Sequence, residues 1–383
     1  MMNPSKPRVV LISIGFYGQK YLAEMTEKDT GAELAGIVEV APGLEQRFPV
    51  VAERHIPVYT SLEAFYAADT ADLAVISSPI HLHTEMSIAC MRHGSHVLCE
   101  KPLCLTVEEA LRMDAVSKET GKFLAIGYQL NYQRDVWALK QDILSGRFGK
   151  PLRCRVVHAM RRGAAYYARN NWAGHITVNG REVFDSPFTN ACAHNFQLMC
   201  YLLGPDMASA CEIDSVETEL YRGNPNVENL DIAALRFHTD AGVPILYYTA
   251  HPLYTKALGP IGRMEFEHAV VTWAPGQRYR AELDTGEVID YSTIPPTGLM
   301  QKLYDAIDCV QHGGHPVCTV QAELSHIRAV RMVQAQPITG IDPAHVEVLE
   351  EGGDTFWCVR GLEDVFLQSA EAWALPKELG LKL

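Results

Sequence analysis

Several familiar signals are missing from this 383-residue chain, and each absence excludes a class of protein. No C-x-x-C pair occurs among its ten cysteines, at positions 90, 99, 104, 154, 192, 200, 211, 309, 318 and 358. Most of them lie inside apolar segments, which reads as reduced core thiols in a cytoplasmic protein, not as a disulfide scaffold. No fixed Cys/His/Asp spacing suggests a zinc site, so no metal is expected. Long hydrophobic runs are also missing. The stretch nearest to membrane length, Ser186 to Pro205, holds two Pro, two Asn, a Gln, a His and a Gly, so no transmembrane helix is expected there. The apolar run from Val9 to Gly18 contains two glycines and no small-residue cleavage site, which argues against a signal peptide. Positive charge is scarce, with 33 Lys plus Arg against 46 Asp plus Glu and a net charge of −13. That balance disfavours nucleic acid or an anionic membrane as the main partner. Internal repeats, low-complexity tracts and an obvious Gly/Ser linker are absent as well.

What is present suits an ordinary globular protein. Apolar residues make up 48% of the chain, and its length suggests two or three domains at roughly 150 residues each. Val9-Val10-Leu11-Ile12 is a continuous apolar run rich in β-branched residues, the mark of a buried parallel strand. Ser13-Ile14-Gly15-Phe16-Tyr17-Gly18 follows, then helix-forming sequence from Gln19 to Glu27. This is G-x-G-x-x-G with Ser in the first slot. Its second glycine would let a phosphate approach the backbone, its third would let helix and strand pack closely, and the helix N-terminus would face a pyrophosphate. Glu33 to Val40 reads as the next strand, and Glu39 stands 21 residues after Gly18. A carboxylate there would accept hydrogen bonds from ribose hydroxyls and repel a 2′-phosphate, so NAD is favoured over NADP.

Strands and helices go on alternating. Leu73 to Ile76, His96 to Cys99 and Phe123 to Ile126 read as strands, and His83 to His93 as a helix ending at Gly94. Thr106 to Glu109 forms a capping box for a helix closing at Gly121. Such repetition means a parallel sheet with its ligand at the carboxyl ends of the strands. Further on, hairpin spacing replaces it. Strand-like runs cover Leu152 to Ala159, Val216 to Tyr221, Ile232 to Phe237, Pro244 to Ala250, Arg263 to Trp273 and Tyr279 to Leu283, with turn signals between them.

Cys99-Glu100-Lys101-Pro102-Leu103 stands at the end of one of these strands, preceded by Ser78-Pro79-Ile80-His81-Leu82-His83. Downstream come Gly127-Tyr128-Gln129, Ser145-Gly146-Arg147-Phe148-Gly149-Lys150-Pro151, Asn171-Trp172, Asn190-Ala191-Cys192-Ala193-His194 and Leu203-Gly204. In this order the motifs resemble the Gfo/Idh/MocA family of glucose–fructose oxidoreductase and inositol dehydrogenase, from about residue 8 to about residue 340. The resemblance implies an α/β plus α+β protein. A Rossmann dinucleotide-binding domain over 1–126 would be followed by a substrate-binding and oligomerisation domain over 127–383 with a large, mostly antiparallel sheet. It implies an NAD(P)-dependent oxidoreductase acting on a secondary alcohol of a sugar, cyclitol or related polyol. A homo-oligomer, dimer or tetramer, is expected.

The resemblance also assigns roles. Lys101 lies beside the substrate hydroxyl and exchanges its proton, or stabilises the alkoxide. His194 is its partner, with Asn190 in a slot where the family usually has Asp. Asn can orient a hydroxyl or an imidazole but adds no charge, and Asp185 is one candidate for the missing carboxylate. Asn190 and His194, four apart, would share one helix face. Cofactor contacts are expected from Ser13, Gly15, Phe16, Tyr17, Gly18, Glu39, Ser77, Ser78, Pro79, His83, Glu100, Lys101 and Gln129. Substrate contacts are expected from Lys101, Tyr128, Arg161, Trp172, His175, Asn190 and His194. The stretch from Arg161 to Trp172 mixes guanidinium groups with aromatic rings, which suits stacking on sugar faces. Asn131 stands where Arg is common. Ala322 to Gln334 and Leu362 to Trp373 read as helices and Val346 to Leu349 as a strand. The tail from Pro337 would cap the second domain or an oligomer contact. Two other activities fit the same scaffold: a glycosidase using transient oxidation by held NAD, and a non-catalytic NAD-dependent regulator.

Overall fold

The computed structural model describes residues 6–381, which form two compact units. The first runs to Tyr132 and takes in Thr297–Glu323; the second comprises Gln133–Pro296 and the chain from Leu324 onward. The expected single division after Ile126 differs from this in two respects: the units part after Tyr132, and residues 297–323 return to the first unit.

In the first unit six strands form one sheet: β1 (Arg8–Ile12), β2 (Glu33–Val38), β3 (Val58–Tyr59), β4 (Leu73–Ile76), β5 (His96–Cys99) and β6 (Leu124–Ile126). Their order is β3-β2-β1-β4-β5-β6, and every pairing is parallel. The reason is visible in the strands. All four residues of β4 are buried, as are four of the five in β1, so both sheet faces are covered. Thr106 caps helix Val107–Thr120 by accepting from the Glu109 N–H at 3.1 Å, and Gly121 ends it in the left-handed region. Helix Gln301–His312 belongs to this unit as well. Its Leu303, Ala306 and Ile307 join the core built from Val9, Leu11, Leu73 and Leu98.

The second unit is built on nine strands: β7 (Pro151–Met160), β10 (Ile213–Arg222), β11 (Ile232–Thr239), β12 (Pro244–Ala250), β13 (Ala257–Phe266), β14 (Ala269–Ala274), β15 (Gln277–Leu283), β16 (Val288–Asp290) and β17 (Thr339–Gly340). The intervening β8 (Thr177–Val178) and β9 (Arg181–Glu182) make a small separate hairpin. The order is β16-β15-β14-β13-β7-β12-β11-β10-β17, antiparallel except where β7 meets β12 and β10 meets β17. Alternation along β11 and β12 divides the two faces. Phe237 and Tyr247 pack with Phe188 and Phe196 on one side. On the other, Ala234, Leu246, Tyr248 and Ala250 pack with Leu362, Phe366 and Ala370 of helix Leu362–Ala372. The tail, including hairpin β18 (Val346–Glu351) and β19 (Asp354–Val359), thus caps the second unit.

One strand expectation fails. Arg263 to Trp273 is not a single strand but parts of β13 and β14, which pair antiparallel through Glu265↔Val270. The reversal at Glu267 and His268 has neither Gly nor Pro. Backbone bonds from Glu267 N–H to Lys150 O and from His268 N–H to Phe148 O hold it, and a local pattern cannot show these.

Candidate active site

The loop after β1 is set by sterics. Ser13 takes φ +63°, the left-handed conformation that the first glycine of the fingerprint usually supplies, and its N–H donates to Val38 O at 2.8 Å. A Cβ on Gly18 would collide with Ser13 O and come within 2.6 Å of Ser77 Oγ, so only glycine lets the following helix (Gly18–Glu27) start there. Ser77 Oγ donates to Ser13 O at 2.5 Å, binding the ends of β1 and β4 together. Around Gly15 there is open space, and Phe16 is 65% exposed at φ +44°.

Glu39 follows β2 and is buried against this loop. Its Oε2 accepts from the Ile14 N–H at 3.1 Å and its Oε1 from the Ala41 N–H at 3.0 Å. A carboxylate offers about four acceptor positions, so these bonds fix its orientation and leave capacity for a diol. Open space at Gly15, a helix N-terminus at Gly18 and this oriented acid fit an adenosine dinucleotide.

The Glu-Lys-Pro segment sits at the end of β5 of the same sheet. Glu100 is buried and accepts from Tyr21 Oη at 2.6 Å. It is also ion-paired with the fully buried Lys302, whose Nζ donates to Gly127 O at 3.1 Å as well. Burial pulls the Lys302 ammonium below its ordinary range, and the Glu100 charge opposes that pull. A side chain on Gly127 would meet the Glu100 carboxylate at 2.9 Å. The carboxylate of Glu100 is therefore committed to Lys302 and Tyr21, while the neighbouring Lys101 is partly exposed. Lys302 is the residue that sequence reasoning missed. The apolar spacing of Leu303, Ala306, Ile307 and Val310 could have revealed its helix.

Other expected residues of this unit take structural places. His83 is buried with Nε2 2.8 Å from Ser78 O and Nδ1 2.9 Å from Pro102 O. Burial lowers its pKa against the pull of these carbonyls, and the ring clamps the turns after β4 and β5. Ser78 is buried, and Pro79 precedes helix Ile80–Arg92. Tyr128 is wholly buried, with Glu323 and Cys318 acting on its phenol, so its side chain faces the interior of the unit. Gln129 Oε1 accepts from Tyr17 Oη at 3.2 Å. Asn131 is buried, with its amide 3.4 Å from Cys318 Sγ.

In the second unit, Asn190 and His194 do not share one α-helix. A π-helical turn, Pro187–Ala191, meets helix Ala193–Leu202 at Cys192. The expected common face of residues four apart is therefore interrupted at Cys192; such π segments recur at functional sites. Ser186 caps the turn by accepting from the Thr189 N–H. Asp185 is buried; its Oδ1 accepts from Asn190 Nδ2 at 2.8 Å and its Oδ2 from the Gly174 N–H at 2.8 Å. The amide of Asn190 is thereby oriented by a carboxylate five residues before it. Arg161 is turned to the tail, donating to Tyr254 O and paired with Glu351. His175 lies 3.3 Å from Glu228 and is half exposed. Arg169 stacks on Tyr166 at 3.5 Å and lies 5.1 Å from the Trp172 ring, so these rings stack on the segment's own guanidinium.

Among the described residues, no group of three or more His, Cys, Asp or Glu could hold a metal, and no helix is long and apolar enough to cross a membrane. All ten cysteines are free thiols.

By fold, this is a protein with a six-stranded parallel dinucleotide-binding sheet and a second, mostly antiparallel sheet. Residues 7–128 match the model of the GFO_IDH_MocA group, described as an oxidoreductase family with an NAD-binding Rossmann fold. That match likens residues 7–128, within the first unit, to the NAD-binding domain of this family. It is 37% identical over 101 residues to 1,5-anhydro-D-fructose reductase of Ensifer adhaerens, covering 26% of this chain and 30% of that one. To inositol 2-dehydrogenase 1 of Saccharopolyspora erythraea it is 25% identical over 201 residues, covering 52% and 55%. The chain thus spans about half or less of the length of these curated relatives. Among solved structures, WlbA dehydrogenase of Bordetella pertussis, in complex with NADH and UDP-GlcNAcA, superposes with a TM-score of 0.69 at 20% identity, covering 86% and 96%. Aldose-aldose oxidoreductase of Caulobacter crescentus gives 0.70 at 19%, covering 86% and 97%. At such identities these likenesses show the fold.

Proposed function

We propose that this chain is an NAD-dependent dehydrogenase that oxidises a secondary alcohol of a sugar, cyclitol or related polyol, working in the cytoplasm as a homo-oligomer. The observation that carries the reading is an alignment along one parallel sheet. The open Gly15 loop and the oriented Glu39 stand at the ends of β1 and β2, and Lys101 stands at the end of β5. Curated relatives over part of the chain are an inositol dehydrogenase and an anhydrofructose reductase, which supports the substrate class.

Bound NAD would supply the hydride acceptor. The chain's residues would do the rest. Lys101 takes the hydroxyl proton on Nζ, or holds the developing alkoxide, as the C–H bond gives up its hydride. Glu100, held by Lys302 and Tyr21, also accepts from the Lys101 backbone N–H at 3.3 Å and so fixes the chain at that residue. His194 is the second proton-exchanging group, and Asn190, held by Asp185, positions the substrate hydroxyl through its amide. Glu39 disfavours a 2′-phosphate, which supports NAD over NADP. The test is NADH formation by the full chain on a panel of sugars, inositols and sugar acids. Absorbance growth with at least one member is expected. Release of free sugar at constant NAD would show a glycosidase instead, and binding of NAD without any turnover would show a regulator.

A further inference from the structure

The charges around the turn bearing Asn190 do not balance. Two guanidinium groups share the Tyr166 ring, Arg169 at 3.5 Å and Arg162 at 4.8 Å. One carboxylate, Asp185, answers Arg169 at 3.9 Å while holding Asn190. Arg162 has no acid within ion-pair range among the described residues. Its Nη2 has only the weak acceptor Met160 Sδ at 3.7 Å, and its buried Nε has no acceptor at all. The other titratable groups facing it do not compensate. His251 is buried, His158 is half-buried, and both are kept neutral, desolvation lowering each with Arg162 adding to that; His158 falls to about 4. Tyr167 bonds His251 Nδ1 at 2.8 Å as a neutral phenol. The same cluster reaches the proposed catalytic turn, because the His158 ring bonds the backbone of Cys192, between Asn190 and His194, and the Asn195 amide at 3.0 Å.

We propose that Arg162 receives an oxyanion of the substrate, so that this site takes an anionic sugar, a sugar acid or a sugar phosphate, in preference to a neutral polyol. A planar guanidinium with unused donors matches carboxylate and phosphate oxygens, and a neutral hydroxyl would leave a partly buried charge unanswered. The inference rests on the dehydrogenase reading of the His194 site and narrows its substrate.

Titration calorimetry of the full chain with NADH present tests it, using glucuronate, glucose 6-phosphate and glucose as probes. At least one anion should bind about tenfold or more tighter than glucose, with the preference falling as salt rises. Which anion wins separates carboxylate from phosphate. Arg162→Gln should erase the preference, and Arg162→Lys should keep part of it; in turnover the loss should fall on KM more than on kcat. Unaltered melting temperatures establish that the variants fold. Glucose binding as well as both anions, or a preference that survives Arg162→Gln, overturns the proposal. If NADH forms from neutral polyols without any anion preference, the dehydrogenase reading stands and this one falls. If no probe is oxidised yet the Arg162-dependent preference persists, the oxyanion site stands and the dehydrogenase reading falls.

Discussion

Single residues carry the cofactor argument. On the proposed reading Glu39 would serve a dinucleotide because two backbone N–H groups already aim it, which lowers the cost of ordering it on binding. Replacing Glu39 with Ala should weaken NAD about tenfold or more, the worth of a charge-assisted hydrogen bond, and weaken NADP far less. Fluorescence titration with both reduced cofactors reads this, and equal losses would remove the basis for preferring NAD. Lys302 is the structural counterpart. Its ammonium and the Glu100 carboxylate are both buried, so Lys302→Met leaves a charge without its partner. Urea unfolding should show a loss of about 3–5 kcal/mol. A loss under about 1 kcal/mol would mean that Glu100 finds its neutralisation elsewhere.

Elements show which signals were local and which were not. Strands β4, β5 and β12 stand in the structure where the apolar runs put them, because a buried strand announces itself by composition alone. The capping box at Thr106 and the closing Gly121 were equally legible. The turn at Glu267 was not, because distant backbone groups hold it. Nor was the interruption at Cys192, since a π turn and an α-helix have the same composition. The partner of Glu100 lies 202 residues away in sequence, beyond any spacing rule. The tail helix Leu362–Ala372 was legible as a helix, but its task was not. Phe366 is fully buried against Tyr248, so Phe366→Ala should cost about 3–5 kcal/mol in a thermal or urea melt. A cost near zero would mean the helix does not hold the sheet face. The corner between β10 and β11 holds Asp231, whose carboxyl burial pushes up to about 7 against two N–H donors. An unfolded Asp titrates at roughly 4, so the folded form holds the extra proton between these values. Stability from this group is therefore full below pH ~4 and falls as pH rises toward ~7. Unfolding of wild type and Asp231→Asn across that window should show the wild-type advantage shrinking with pH. An advantage that grows would reverse the assignment.

The whole molecule joins a dinucleotide-binding sheet to a chain whose net charge of −13 suits a small soluble ligand better than a polyanionic polymer. Each unit has its own core, and the residues assigned to chemistry stand where strands or helices end. Of these, Lys101 bears the central claim, that hydride leaves a carbinol carbon while this ammonium manages the hydroxyl proton. The direct measurement is turnover and NADH binding by Lys101→Ala beside wild type, on the best polyol of the panel. The account predicts NADH affinity within about twofold of wild type and turnover lowered by about 100-fold or more. Turnover that survives the substitution would contradict it.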